Sequence, residues 1–160
     1  MPRSTIERFY AAFEQLDDAT MQACYAADAT FDDPAFSLRG APQIGAMWHM
    51  LCSATRAKGM AHWKLDVSHI TEQGRQGKAH WEARYLFSAT GRRVHNSIDA
   101  EFEFDDAGLI TRHRDHFDFW RWSRQALGTP GVLLGWSPWL RNKVRAQAAA
   151  NLRQWVRARH

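Results

Sequence analysis

Cysteine and long hydrophobic runs are both scarce in this 160-residue chain, and each shortage excludes a class of protein. The two cysteines, Cys24 and Cys52, stand alone, so the chain lacks the disulfide framework of a small secreted domain and the spacing of a redox motif. The apolar run at 132–134, the longest in the C-terminal part, is far too short to span a membrane. Because residues 1–4 also do not resemble a signal peptide, we expect a cytoplasmic protein.

Motifs for cofactors and metals are missing as well. The sequence has no glycine-rich phosphate loop, no nucleophile elbow and no zinc motif. His113 and His116 fall on one predicted strand but on opposite faces of it, so they cannot share an ion. His80 and Glu82 do share a strand face, but two ligands do not make a metal site. We therefore expect neither a metal nor a cofactor.

Acidic residues are absent from one end of the chain. Residues 119–160 carry eight Lys/Arg and no Asp/Glu, whereas residues 1–118 carry 13 Lys/Arg and all 17 Asp/Glu. One interpretation is attraction to a phosphate-rich surface, either nucleic acid or a membrane. We favour the other, a basic helix that docks on the acidic body or on a second subunit, because the charges are spread along a helix and no nucleic-acid reader motif is present.

Aromatic residues are abundant, with eight Trp and nine Phe. So much aromatic surface in a chain of single-domain length favours a large core, a lined pocket or a partner interface. A capping box predicts a helix over residues 5–16, a shorter helix extends to Tyr25, and a third begins at Pro42 and ends at Gly59. The predicted inner face of the third helix consists of Ile44, Met47, Trp48, Leu51 and Thr55.

A run of strands follows the helices. Residues 29–33 predict a short strand that Pro34 ends, since proline cannot donate to a strand ladder. Four longer strands, joined by hairpin-type turns, are predicted over residues 61–72, 77–88, 93–105 and 109–118. Strands joined in this way form an antiparallel meander, and helices that precede a run of strands indicate an α+β fold.

The C-terminal residues predict helices that go beyond this core. Residues 119–127 predict a helix or an extended arm, and Pro138 begins a long helix with one apolar stripe. The stripe consists of Leu140, Val144, Ala148, Leu152, Trp155 and Val156. It can cap an open cone, cover the outer sheet face or cross a dimer, and a basic helix with Trp136 and Trp139 near its start can also lie on a membrane surface. We favour packing, because the apolar face is modest and rich in alanine.

The stretches from Tyr25 to Pro34, Arg39-Gly40, Gly108-Leu109-Ile110 and Phe117-Asp118 resemble the nuclear transport factor 2-like superfamily, in its SnoaL-like and ketosteroid isomerase-like branch. The resemblance implies a cone-shaped, curved antiparallel sheet packed on three N-terminal helices. It also implies a pocket for a small apolar molecule and a homodimer formed through the sheet. We therefore expect an α+β domain over residues 1–118 and a basic helical extension over 119–160 that packs on it or across a dimer.

Comparison with the ketosteroid isomerases assigns a role to Asp33, which matches the general base of that family. The two positions that form the oxyanion hole in the family fall on Phe9 and Ala100, and neither side chain can donate a hydrogen bond. Tyr10 lies one step round the helix from Phe9, and Asp99 should point to the other face of its strand. Losing such a donor typically costs about 10²–10³ in rate. A steroid isomerase of the familiar type is therefore not expected.

The last predicted strand offers other partners for Asp33. Strand alternation places His113 and Asp115 on the face of Phe117, which matches a pocket aromatic of the family. A cluster of Asp33, His113 and Asp115 suits proton transfer next to a carbonyl, a dehydration or activation of a water. The alternative is a buried polar network that only satisfies its own hydrogen bonds.

The resemblance and the strand faces also predict the pocket wall. It would consist of Phe9, Tyr10, Trp48, Trp81, Tyr85, Phe87, Ala100, Phe102 and Phe117. Such a wall suits a flat or bulky apolar ligand, although the same aromatics can simply fill the cone. Two functions follow: a small isomerase, cyclase or dehydratase that acts on a hydrophobic carbonyl substrate with Asp33 as base, or a non-catalytic domain that binds a ligand or a protein.

Overall fold

The computed structural model describes residues 4–159 and has a mixed α+β architecture in which one six-stranded sheet is covered by helices. The helices are α1 (Thr5–Glu14), α2 (Asp18–Ala23), α3 (Ala41–Lys58), α4 (Phe119–Leu127), α5 (Thr129–Leu134) and α6 (Pro138–Ala158), with a short 3-10 turn at Met60–His62. The strands are β1 (Tyr25–Asp32), β2 (Ser37–Arg39), β3 (Lys64–Gln73), β4 (Gln76–Leu86), β5 (Arg93–Phe104) and β6 (Ile110–His116).

The sheet combines the predicted meander with an edge, β1 and β2, of which only residues 29–33 were predicted as a strand. Its strand order is β2-β1-β6-β5-β4-β3, so β3 to β6 form the antiparallel meander and β1 pairs in parallel with β6. β1 begins at Tyr25, where the sequence predicted the end of a helix, and β2 was not predicted at all. The pairing of Phe31 with His113 places the end of β1 beside the last strand. This pairing brings Asp33, which follows β1, near residues of β6.

The register of the meander settles which side chains face the helices. The β4–β5 pairing is unbroken from Gln76–Glu103 to Leu86–Arg93, so no bulge rotates Asp99 inward. Ala100 is therefore buried and Asp99 is exposed, as predicted.

The N-terminal helices follow their sequence signals, with one difference in α3. Ser4 caps α1 by accepting the backbone N–H of Glu7, and Pro42 lies in the first turn of α3. Ile44, Met47 and Trp48 are buried as predicted, but the stripe continues through Cys52 and not through Leu51, which is 37% exposed, or Thr55, which is half-buried. Cys52 lies four residues after Trp48, so it extends the same helix face.

The C-terminal helices pack on the body of the protein. Leu140 and Leu152 of α6 are buried, and α6 lies against α3. α4 lies on β5, where Gln125 accepts the backbone N–H of His95 at 2.7 Å. The apolar stripe of α6 therefore packs against residues of the same chain. The division into two domains and the homodimer remain predictions. Of the helices within residues 4–159, none is long and apolar enough to cross a membrane.

Candidate functional site

A cavity of about 340 Å³ opens where the ends of β1 and β6 meet α6. It is lined by Asp32, Asp33, Pro34, Arg114, Asp115, His116, Phe117, Phe119, Arg141 and Arg145. Two of the three predicted catalytic residues, Asp33 and Asp115, therefore share one cavity. Its wall is mixed, with aromatic rings, carboxylates and arginines.

Asp33 is held by the turn that follows β1. Its Oδ1 accepts the backbone N–H groups of Ala35 at 2.7 Å and Phe36 at 2.6 Å. The Arg145 guanidinium of α6 donates to the backbone carbonyls of Asp33 and Pro34, at 3.1 and 3.0 Å. The long C-terminal helix thus fixes the turn that carries the carboxyl group.

The surroundings of Asp33 favour its neutral form more than water does. Burial raises the pKa of Asp33 from 3.8 to about 7, and the charge of Asp115 adds to this rise. The two backbone N–H donors and the positive charge of Arg145 oppose it. Near neutral pH, this carboxyl group can therefore both accept and return a proton.

Behind Asp115 runs a chain of buried hydrogen bonds. The Trp48 indole N–H donates to the Tyr25 hydroxyl at 3.1 Å, and the Tyr25 hydroxyl lies 2.7 Å from Nδ1 of His113. Nε2 of His113 lies 2.9 Å from Oδ1 of Asp115, which also accepts the Trp81 indole N–H at 3.5 Å.

One assignment of protons satisfies every link of this chain. With Asp115 ionised and His113 neutral, His113 donates through Nε2 to Asp115 and accepts the Tyr25 O–H at Nδ1. The Tyr25 oxygen then remains free to accept the Trp48 N–H. His113 is thus held in a single tautomer, and it orients Asp115 from the side away from the cavity.

The buried hydroxyl of Tyr10 takes no part in these hydrogen bonds. Tyr10 has no hydrogen-bond partner within residues 4–159. Burial, together with the charges of Asp115 and Tyr25, raises its pKa well above the usual value. Within the described part of the chain, the Tyr10 hydroxyl is therefore an unpaired donor in the core.

The family model of the SnoaL-like domain matches residues 6–113, more than half of the chain. The chain belongs to the SnoaL-like domain family. This assignment agrees with the predicted superfamily and with the fold, since the matched region runs from α1 to His113 on β6. No curated protein gives a significant match.

Solved structures share the fold of this SnoaL-like chain at low identity. An LEH-like epoxide hydrolase from M. tuberculosis is 23% identical, with a TM-score of 0.58 over 81% of this chain and 90% of its own. A candidate polyketide cyclase from Xanthomonas campestris is 19% identical, with a TM-score of 0.61 over 76% and 93%. An NTF2-like protein of unknown function from Burkholderia pseudomallei is also 19% identical, with a TM-score of 0.60 over 76% and 93%.

The predicted pocket wall of the SnoaL-like chain differs from the cavity in the structure. Of the predicted residues, Phe117 lines the cavity, whereas six are buried in the core: Phe9, Tyr10, Trp48, Trp81, Ala100 and Phe102. The Phe9 ring contacts five other aromatic side chains and His113, so it packs within an aromatic cluster of the core. Tyr85 and Phe87 are half-buried and contact Trp122 of α4, whose indole N–H donates to the Tyr85 hydroxyl at 2.9 Å.

The two cavity arginines of α6 were not predicted from the sequence. Arg141 and Arg145 come from α6, and the Arg141 guanidinium lies 5.7 Å from the ring centre of Phe119. The only sequence signal was the excess of positive charge in residues 119–160. Within residues 4–159, no three His, Cys, Asp or Glu side chains are placed to hold a metal ion.

Proposed function

We propose that this SnoaL-like protein is a proton-transfer enzyme that acts on a small, largely hydrophobic carbonyl compound, as an isomerase, cyclase or dehydratase. The observation that carries the proposal is the placement of Asp33 and Asp115 on one cavity of substrate size. A pKa of about 7 suits a general base at neutral pH, because the group is substantially ionised and still returns its proton readily.

In this mechanism Asp33 removes a proton from the carbon next to the carbonyl. Asp115 contributes a further carboxyl group to the cavity, and its charge supports the high pKa of Asp33. His113 does not line the cavity, so we assign it a positioning role through its hydrogen bond to Asp115. The rings of Phe117 and Phe119 would contact the apolar part of the substrate.

Removal of the proton leaves negative charge on the carbonyl oxygen, and this charge needs a stabilising partner. Phe9 and Ala100 cannot donate to it. Arg141 and Arg145 bring positive charge to the cavity from α6. Arg145 already donates to two backbone carbonyls, so Arg141 is the better candidate for the substrate oxygen.

A second function, non-catalytic ligand binding, is favoured by one observation. Within residues 4–159, the hydrogen bonds of the Asp33 carboxyl group come only from the backbone N–H groups of Ala35 and Phe36. A carboxyl group that shapes a turn makes the same bonds. In that case the cavity would hold a carried ligand without chemistry.

Proton exchange in D₂O tests the first function without knowledge of the natural substrate. A panel of small hydrophobic ketones and keto esters is followed by proton NMR, and we expect the protein to accelerate loss of the α-proton signal for part of it. Asp33→Asn should lower that rate about 10²–10⁴-fold, as expected for removal of a general base. Asp28→Asn, at an exposed position of β1, the strand before Asp33, is the matched control and should keep the rate.

The two functions give different results in this test. Equal exchange rates in the native protein and Asp33→Asn would show that Asp33 is not the base. Compounds that raise the melting temperature of both proteins equally, with no exchange in either, would assign the cavity to ligand binding.

A further inference from the structure

Six large hydrophobic side chains are exposed side by side where α4, α5 and α6 meet, and we call them the α5 patch. They are Trp120, Val132, Leu133, Leu134, Trp136 and Trp139, with exposed fractions between 39% and 65%. Only three other large hydrophobic residues within 4–159 are comparably exposed, and they lie elsewhere: Leu51, Met60 and Ile70. Exposed apolar side chains that are concentrated in this way mark an interaction surface.

Hydrogen bonds and close helix packing hold the α5 patch in place. The Trp120 indole N–H donates to the Val132 carbonyl at 3.3 Å, and the Trp136 indole N–H donates to the Leu133 carbonyl at 2.9 Å. α5 lies so close to α4 that a Cβ at Gly131 would come within 1.9 Å of the Ser123 carbonyl oxygen. The glycine therefore faces α4, while Val132 and Leu133 face outward.

Positive charge borders the patch. The Arg124 guanidinium lies 5.0 Å from the ring centre of Trp120, and the Lys143 ammonium group lies 5.1 Å from that of Trp139. Both cations belong to residues 119–160, which contain eight Lys/Arg and no Asp/Glu. The segment therefore has no carboxylate that would repel a negatively charged surface, whereas the same face of a second copy would be repelled by like charge.

We propose that the protein binds the surface of an anionic membrane through the α5 patch. Tryptophan rings settle at the level of the lipid headgroups, leucine side chains enter the outer acyl region, and lysine and arginine remain at the phosphates. The patch offers this combination in one place. Because α4 and α6 also supply Phe119 and Arg141 to the cavity, binding would hold the cavity close to the lipid.

Vesicle flotation tests the proposal with the full-length protein. We expect binding to phosphatidylcholine vesicles that contain phosphatidylglycerol, a blue shift of tryptophan emission, and weaker binding at high salt. The double variant Leu133→Glu/Trp136→Glu should bind at least about tenfold more weakly, because it replaces inserted apolar surface by negative charge. Ile70→Glu changes an exposed hydrophobic residue outside the patch and should bind like the native protein.

A second variant separates the charge effect from any effect on folding. Arg124→Gln/Lys143→Gln keeps the apolar patch and should lose affinity only for the vesicles with phosphatidylglycerol. Failure of the native protein to bind either vesicle would overturn the proposal, as would equal binding by Leu133→Glu/Trp136→Glu. A native dimer in light scattering that this variant converts to a monomer, without vesicle binding, would assign the patch to a second copy and also overturn it.

Discussion

Asp33→Asn should raise the free energy of unfolding above pH 7 and leave it nearly unchanged below pH 4. Burial raises the pKa of Asp33 to about 7 in the folded protein, against 3.8 for the ordinary group. A raised carboxyl pKa destabilises the folded state once pH exceeds the unfolded value, and the loss is complete above the folded value. The pKa of Asp33 rises by about three pH units, and each is equivalent to about 1.4 kcal/mol. The difference in free energy of unfolding between the two proteins is therefore at most about 4 kcal/mol, and partial contact with solvent reduces it.

Asparagine suits this test, because its Oδ1 can still accept the N–H groups of Ala35 and Phe36. Urea unfolding of both proteins at several values between pH 4 and pH 8 gives the difference directly. Asp28→Asn, at an exposed position of β1, should show no such pH dependence. A constant difference between the native protein and Asp33→Asn across the range would contradict a raised pKa.

Tyr25→Phe should lower the free energy of unfolding by about 1–3 kcal/mol for each buried group that it leaves unpaired. Two groups lose a partner, namely Nδ1 of His113 and the indole N–H of Trp48. Tyr10→Phe removes a hydroxyl that is equally buried but has no partner within residues 4–159. We expect this second change to be neutral or slightly stabilising, because it deletes an unpaired polar group without creating another.

The two tyrosine variants form a matched pair, since each removes one buried hydroxyl oxygen from the same core. Urea unfolding at pH 7 measures both. If the two variants lower the free energy of unfolding equally, the hydrogen-bond chain from Trp48 to Asp115 would make no measurable contribution to stability.

The sequence predicted the register of the sheet well but not all of its strands. The short turns set the ends of each strand, and side chains alternate between the two faces along it. This places Ala100 inward and Asp99 outward, and the β4–β5 pairing confirms it. β1 and β2 are harder to predict, because their pairing partners lie far along the chain or across the turn after Asp33, and β1 carries a register shift between Tyr25 and Thr30.

The candidate site was also predictable only in part. Strand parity placed His113 and Asp115 on the inner face, where the structure has them. Parity cannot tell whether an inward ring lines a cavity or fills the core, since this depends on the volume that opposing side chains leave. The rings of Phe9 and Trp48, for example, pack against each other at 5.7 Å. Arg145 lies 112 positions from Asp33 in the sequence, and no local sequence pattern predicts a contact over such a separation.

Direct titration of the Asp33 carboxyl group tests whether Asp33 is a buried general base with a raised pKa. Carbon-13 NMR of protein labelled at aspartate carboxyl carbons follows each group with pH, and Asp33→Asn identifies the signal. We predict an apparent pKa of about 7 that falls in Asp115→Asn, because the neighbouring charge is then removed. A signal that titrates near pH 4 in the native protein would contradict a buried general base at this position.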